Sequence, residues 1–371
     1  MNGTDAATRT PVTVVCGPLG AGKTTLVNRL LDAPGGRQLA LVVNDMGEVN
    51  VDAELLADAE DGVVDLSNGC ICCRLGEDLR EQLSMLATTR DPDAIVVEAS
   101  GISEPIPIAQ TITGAATDAG PPDGVRLDTT VSVVDAYGFW KEFDPDESAP
   151  GGEPARPLAD ILVDAIEFCD VLLLNKCDMV PEAVRERLTA TARELQPRAA
   201  IHRTEYCDID VDTVVDTGRF DYEAARRAQG WKRALAGDSH GDHAEGRDGP
   251  GHGSGAATAH GIESFVYERA EPFHPERVND WLDDWDGSIV RAKGFMWVAS
   301  RPEAVVGMSQ AGQSVQAGPI GEWGEDSPKT RLVFIGTDLA EERLRDELDS
   351  CLITDEERGR SREDDPFPRS S

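Results

Sequence analysis

Aromatic residues make up only 5% of this 371-residue chain, and no apolar run in it approaches the roughly 20 residues that a membrane-spanning helix needs. The second scarcity argues against any helical span of a bilayer, and no membrane partner is expected. Basic residues are also few: 35 Lys and Arg against 69 Asp and Glu give a formal net charge of -34. Nucleic acids bind through cationic faces, so a nucleic-acid partner held by a general basic surface is excluded. Lysine is scarcer still, heavily outnumbered by arginine. An acidic, lysine-poor surface suits solubility in very high salt, where self-repulsion is screened. The charge therefore reads as the mark of a halophilic habitat rather than of a partner. Met1 to Thr10 lack the basic and apolar regions of a secretory leader, which makes a cytoplasmic location the expectation.

What is present is organised as short apolar runs. Pro11–Cys16, Leu39–Val43, Gly62–Leu66, Ala94–Val97, Thr130–Val134 and Val171–Leu174 read as buried strands. Thr24–Leu31, Gly76–Thr89 and Glu182–Leu195 carry apolar residues at helical spacing between them. The alternation predicts an α/β fold: a P-loop NTPase with a mostly parallel sheet flanked by helices, over 11–230. Residues 231–261, rich in Gly, Asp, Ala and His, read as a flexible linker. A smaller C-terminal α+β domain is expected over 262–355. Its strands are placed at Ser264–Tyr267, around Ser288–Val298 and at Leu332–Ile335, and its helices at Pro275–Leu282 and Leu339–Cys351. The charged segment 356–371 is expected to be disordered.

The first strand runs into Gly17-Pro18-Leu19-Gly20-Ala21-Gly22-Lys23-Thr24, a phosphate-binding pattern. The glycines Gly17, Gly20 and Gly22, with Ala21, let backbone N–H groups wrap a phosphate chain at a helix N-terminus. Lys23 would bridge the β- and γ-phosphates, and the Thr24 hydroxyl would ligate Mg²⁺. Asn175-Lys176-Cys177-Asp178 follows a strand directly. A carboxylate at Asp178 accepts from guanine N1–H and its exocyclic amine; adenine offers no such donor pair, so ATP is rejected. Between these motifs, Glu98 ends an apolar strand and suits the magnesium shell through water, while the Gly101 N–H can meet the γ-phosphate. Asp45, in the segment Asn44–Asp52, is placed to approach the magnesium or the attacking water; Glu48 and Asp52 are acid ligands or solvated charges. Lys23, Thr24, Asp45 and Glu98 form the catalytic set. No catalytic base or arginine finger stands out, so intrinsic turnover is expected to be slow.

Of the eight cysteines, Cys70, Cys72 and Cys73 crowd into Gly69-Cys70-Ile71-Cys72-Cys73. Three thiolates are soft ligands suited to Zn²⁺ and leave one coordination position open, for another protein or for a switch acid such as Glu48. A redox pair is the competing reading, although the spacing differs from the Cys-x-x-Cys of disulfide exchange. Cys16, Cys169, Cys177, Cys207 and Cys351 read as small buried hydrophobes. His240, His243, His252 and His260 in the linker gather metal or are merely polar linker residues.

These residues together resemble the CobW-like metallochaperone GTPases, relatives of the urease and hydrogenase nickel-insertion GTPases. The resemblance lies in Gly17 to Thr25, Asn44 to Asp52, Gly69 to Cys73, Glu98 to Pro105 and Asn175 to Asp178, and in Arg291–Gly294 and Leu332–Gly336 of the second domain. Pro18 stands where an aromatic is commoner, and Asp45 and Met46 stand where Glu and Phe are usual. The resemblance implies a GTPase that binds Zn²⁺, or in some members Co²⁺, and delivers it to a client metalloprotein. A cobalt chaperone serving cobalamin synthesis, a zinc buffer uncoupled from GTP, and a signalling GTPase with redox cysteines are the alternatives.

Overall fold

Runs of Val, Leu and Ile bury well on both faces of a parallel sheet, and the chain uses them to build one. The computed structural model describes residues 9–44, 63–65, 75–99, 105–115, 120–143, 158–221, 262–283, 288–324, 326–354, 357 and 365–367. The chain divides into two compact units. The first is Met1–Trp140, Asp164–Arg185 and Arg198–Arg227; the second is Lys141–Val163, Glu186–Pro197 and Ala228–Ser371.

Seven strands form the sheet of the first unit: β1 (Thr10–Cys16), β2 (Leu39–Asn44), β3 (Val63–Asp65), β4 (Ala94–Ala99), β5 (Val125–Asp135), β6 (Val171–Asn175) and β7 (Ala200–Arg203). Their order is β3-β2-β4-β1-β5-β6-β7, and every pairing is parallel. The helices along this part of the chain are α1 (Lys23–Asp32), α2 (Leu75–Thr89), α3 (Pro105–Thr113), α4 (Ala136–Phe143), α5 (Leu158–Glu167) and α6 (Glu182–Leu195). Successive strand side chains point to opposite faces, so β1 feeds two cores. Val12, Val14 and Cys16 pack with Leu79, Leu83 and Leu86 of α2 and Ile108 and Ile112 of α3. Val15 packs with Leu26, Val27 and Leu30 of α1. Register aligns the strand ends: Val15 and Val43 both pair with Glu98, Val43 also with Asp65, and Asp135 with Asn175. All motifs that follow these strands therefore leave the sheet at its carboxyl edge, where parallel α/β sheets bind ligands.

The expected α/β architecture is what the structure contains, with elements the sequence pattern did not signal. α3 opens Pro105-Ile106-Pro107-Ile108, a proline pair that reads as a breaker, yet proline is tolerated in a first helical turn. β5 starts at Val125, ahead of the expected Thr130, because its polar residues are satisfied. Asp128 is buried and accepts from the Gly218 N–H at 3.1 Å and the Thr129 hydroxyl at 2.8 Å, and pairs with Arg126.

In the second unit, five strands run antiparallel in the order β11-β10-β9-β12-β8. They are β8 (Ile262–Arg269), β9 (Ile289–Met296), β10 (Ala304–Ala311), β11 (Ser314–Glu322) and β12 (Thr330–Thr337), with α7 (Pro275–Asp283) between β8 and β9 and α8 (Glu341–Ser350) after β12. Much of the scarce aromatic content is spent here: Phe265 stacks on Phe334 with centroids 4.9 Å apart, and Tyr267 on Phe273 at 6.1 Å. β10 and β11 escaped the sequence reading because Gly307, Gly318 and Pro319 blur any strand signal. Gly307 pairs with Gly318, and a Cβ on Gly307 would meet Ile320 Cγ2 at 2.6 Å, so packing explains that glycine. Segments 141–163 and 186–197 lie within the range read from sequence as the first domain but group with this unit. There, the Ser314 hydroxyl donates to Asp160 Oδ2 at 2.9 Å.

The expected disorder of 356–371 does not hold for Asp365, Pro366 and Phe367. Arg301 Nε donates to Asp365 Oδ2 at 2.6 Å and its Nη2 to the Phe367 carbonyl at 2.5 Å, while the Phe367 ring is buried among the core residues of the second unit. An aromatic ring too apolar to stay in water overrides the charge of its neighbours. Phe367→Ala should cost the second unit about 3 kcal/mol in chemical denaturation. A midpoint unchanged from wild type would show that the segment is not docked in solution.

Candidate functional site

The chain turns sharply out of β1 because Gly17, at φ 134°, has no side chain; a Cβ there would lie 2.0 Å from the Val133 carbonyl oxygen of β5. α1 then starts from Gly22, at φ 114°, with no side-chain cap and no acid in its first turn. Its leading N–H groups and positive helix end are thus left for an anion, the arrangement that a phosphate needs. Lys23 is buried and its Nζ donates to the Pro18 carbonyl at 3.1 Å, so the ammonium lies back over the loop it follows. Thr24 Oγ1 donates to Glu98 Oε1 at 2.9 Å, with Glu98 buried at the end of β4. Thr25 is exposed, as are Leu19 and Gly20 at the tip of the loop.

Asn175 ends β6 fully buried, and its side chain joins three segments. Nδ2 donates to the Ala21 carbonyl of the glycine loop at 2.9 Å. Oδ1 accepts from the Cys207 N–H at 2.8 Å and from Thr204 Oγ1 at 3.2 Å. The loop after β7 is thereby fixed beside the guanine motif, and Cys207 Sγ reaches the Gly22 carbonyl at 3.4 Å. Lys176 adopts a left-handed φ of 56°, and its Nζ pairs with Asp135 Oδ2 at 2.7 Å. Asp178 follows in an exposed turn, open to a base edge.

Sequence reasoning missed Thr204, Cys207 and Asp135. Asp135 carried a usable signal: like Glu98, it is an acid at the end of an apolar strand run. Thr204 and Cys207 carried none, because their role depends on β7, which was not anticipated. The structure brings together Gly17, Gly20, Ala21, Gly22, Lys23, Thr24, Glu98, Asn175 and Lys176. Asp45, Glu48, Asp52, Gly101, Cys70, Cys72, Cys73 and the linker histidines lie outside the described residues. Among the described residues, no group of three or more His, Cys, Asp or Glu is placed to hold a metal.

Residues 11–203 match the model of the CobW/HypB/UreG nucleotide-binding domain, and residues 262–352 match that of the cobalamin synthesis protein cobW C-terminal domain. The chain belongs to the CobW/HypB/UreG family of P-loop GTPases. Among its relatives, the zinc-regulated GTPase metalloprotein activator 1 of Dictyostelium discoideum is 32% identical, over 94% of this chain and 80% of that protein. The zinc chaperone YjiA of Escherichia coli is 27% identical, over 90% of this chain and 96% of its own length. The crystal structure of Zn(II)-bound YjiA GTPase from E. coli covers 95% of this chain and 100% of that one, at 22% identity and a TM-score of 0.43. No helix among the described residues is long and apolar enough to cross a membrane.

In this GTPase site, the Thr24 hydroxyl and the Glu98 carboxylate form a hard oxygen pair beside the phosphate loop, a donor set that fits Mg²⁺. The thiols nearby do not fit a metal role. Burial pushes Cys207 up to about 12 and Cys16 up to about 11, and it raises Cys177 and Cys169 as well. At pH 8 these four thiols, and the buried Cys351, stay protonated and shielded. Iodoacetamide labelling of native protein at pH 8 should therefore leave these five cysteines unmodified while free thiols react. Rapid modification of Cys207 would mean that its loop opens. A Cβ on Gly22 would stand 2.5 Å from Asn175 Nδ2, so Gly22→Ala should break the Asn175 tie to Ala21 and weaken GDP binding at least about tenfold. Titration with a fluorescent GDP analogue reads this directly, and wild-type affinity in the variant would show the tie to be dispensable.

Proposed function

We propose that this chain is a cytoplasmic, GTP-hydrolysing metallochaperone that binds Zn²⁺ at Cys70, Cys72 and Cys73 in a nucleotide-dependent way and delivers it to client metalloproteins. One observation carries the reading: the chain segment holding the three cysteines leaves the sheet from β3 at Asp65, level through Val43 with Glu98, where Thr24 is held. The three cysteines thus follow in sequence a strand that ends on the same sheet edge as the strand before the phosphate loop, which supports a link between the two sites. The names of the relatives, a zinc-regulated GTPase activator and a zinc chaperone, support zinc as cargo.

In this reading the loop amides after Gly17 and the Lys23 ammonium bind the phosphates, and Asp178 accepts from the guanine edge. Thr24 and Glu98, with Asp45, would hold Mg²⁺, Glu98 through water; the bound ion neutralises phosphate charge. Gly101 and Glu48 take part on the nucleotide and zinc sides respectively. Ordering of the 45–52 and 70–73 segments by GTP would raise affinity for zinc, and hydrolysis would release it to the client. Such coupling requires that zinc bind the two nucleotide states unequally. The high negative charge fits a halophilic habitat, and the segments 231–261 and 262–355 would serve as linker and client-facing domain.

The test is Zn²⁺ and Co²⁺ affinity by chelator competition in high salt, with Mg²⁺ and a non-hydrolysable GTP analogue and then with GDP. Zinc should bind at least about tenfold more tightly in the GTP state, a coupling of ordinary allosteric size, and Cys72→Ser should abolish the difference. Equal affinity in both states would leave a metal buffer beside an uncoupled GTPase, and tighter Co²⁺ would make cobalt the cargo.

A further inference from the structure

Asp135 ends β5 one strand over from the guanine motif, in register with Asn175. Its carboxylate is used on both sides. Oδ1 accepts the N–H groups of Tyr137 at 2.9 Å and Gly138 at 3.3 Å, capping the start of α4. Oδ2 accepts Lys176 Nζ at 2.7 Å. The side chains are 33% exposed at Lys176 and 21% at Asp135, so the pair is only partly open to screening by salt. The helix N-terminus stabilises the negative charge of Asp135, and Asp135 in turn fixes a positive charge in the guanine motif.

We propose that Asp135 is a positioning residue for guanine recognition, its carboxylate anchoring the Lys176 ammonium so that the Lys176 stem stands as a preformed wall for the base face. The inference rests on the guanine-nucleotide reading of this site. Lysine carries a flexible four-carbon stem, and ordering it only when nucleotide arrives would cost affinity. The backbone at Lys176 is already held in the left-handed region, which few side chains adopt without a compensating constraint. Asn175 fixes the residue from one side and Asp135 fixes its far end. Asp178, two residues on, then meets the base edge while the stem meets its face. Lysines are few in this arginine-rich chain, and one of them is retained here, paired as a point charge with a single carboxylate oxygen.

Titration of the full-length protein with fluorescent GDP, alongside thermal melting, separates the two duties of Asp135. Asp135→Asn keeps an oxygen to cap α4, so the melting temperature should stay at the wild-type value. Its GDP affinity should fall about tenfold, the usual scale for a hydrogen bond to a charged group. The fall should be equal for IDP, which lacks the exocyclic amine, because the wall touches the ring face and not its edge. In a Lys176→Met background, Asp135→Asn should cost nothing further. GDP affinity unchanged in Asp135→Asn, a loss confined to GDP, or an equal loss in the Lys176→Met background would each overturn the proposal. Wild-type protein that binds no guanine nucleotide would overturn the underlying reading instead.

Discussion

A single buried amide, the side chain of Asn175, ties together the glycine loop and the loop after β7. Those segments are far apart in sequence, and nothing in their own propensities holds them. Each of the three hydrogen bonds is out of water, and a donor or acceptor stranded there costs about 1–3 kcal/mol. The loop after β7 is also tied to α1 by Arg29 and Asp208, 2.7 Å apart but 43% and 79% exposed. An exposed pair of that kind contributes at most about 1 kcal/mol, and salt screens it. The buried amide wins by magnitude. Gly22 is then required twice over, once for its φ of 114° and once because only a hydrogen leaves room for Asn175.

Much of the site was legible in the sequence because its parts follow apolar strands directly. Val171–Leu174 announces β6, and the guanine motif begins at its end; the same logic exposes Glu98 after β4. The tie between Thr24 and Glu98 was foreseeable as a shared magnesium shell, although the direct hydrogen bond was not. Residues whose meaning depends on a neighbour distant in sequence stayed hidden. Thr204 and Cys207 acquire a role only when β7 is laid beside β6, and β7 is four residues long with an apolar pattern too short to read. β10 and β11 stayed hidden for a related reason: antiparallel pairing supplies the order that their glycines and proline remove from the local signal. The tail misled by composition, since charge around Phe367 outweighed one ring that packs into a core 66 residues from its partner Arg301.

The two units divide their cohesion differently. The first is built of aliphatic strands, with nine of the eleven residues of β5 and all of β4 and β6 withdrawn from water, and among its described residues Cys16, Cys169, Cys177 and Cys207 serve as small apolar fillers. The second concentrates aromatic rings around β8 and β12. Tyr267 is stacked on Phe273 while its hydroxyl donates to Asp349, which also accepts from Arg269 at 2.7 Å. A chain with so few aromatic residues thus spends them where the antiparallel sheet packs against α7 and α8.

The strand order has a consequence for how the chain comes into being. β1 lies between β4 and β5, so β1, made ahead of both, gains no neighbour in this sheet until Ala94–Ala99 has been made. Through that interval Pro11–Cys16 is an apolar edge with open hydrogen-bonding groups, the kind of segment that seeks another copy of itself. A nascent chain that gathers acidic residues faster than basic ones carries its own repulsion during that wait. At low ionic strength that repulsion can keep unfinished sheets apart, and it fades as salt screens it.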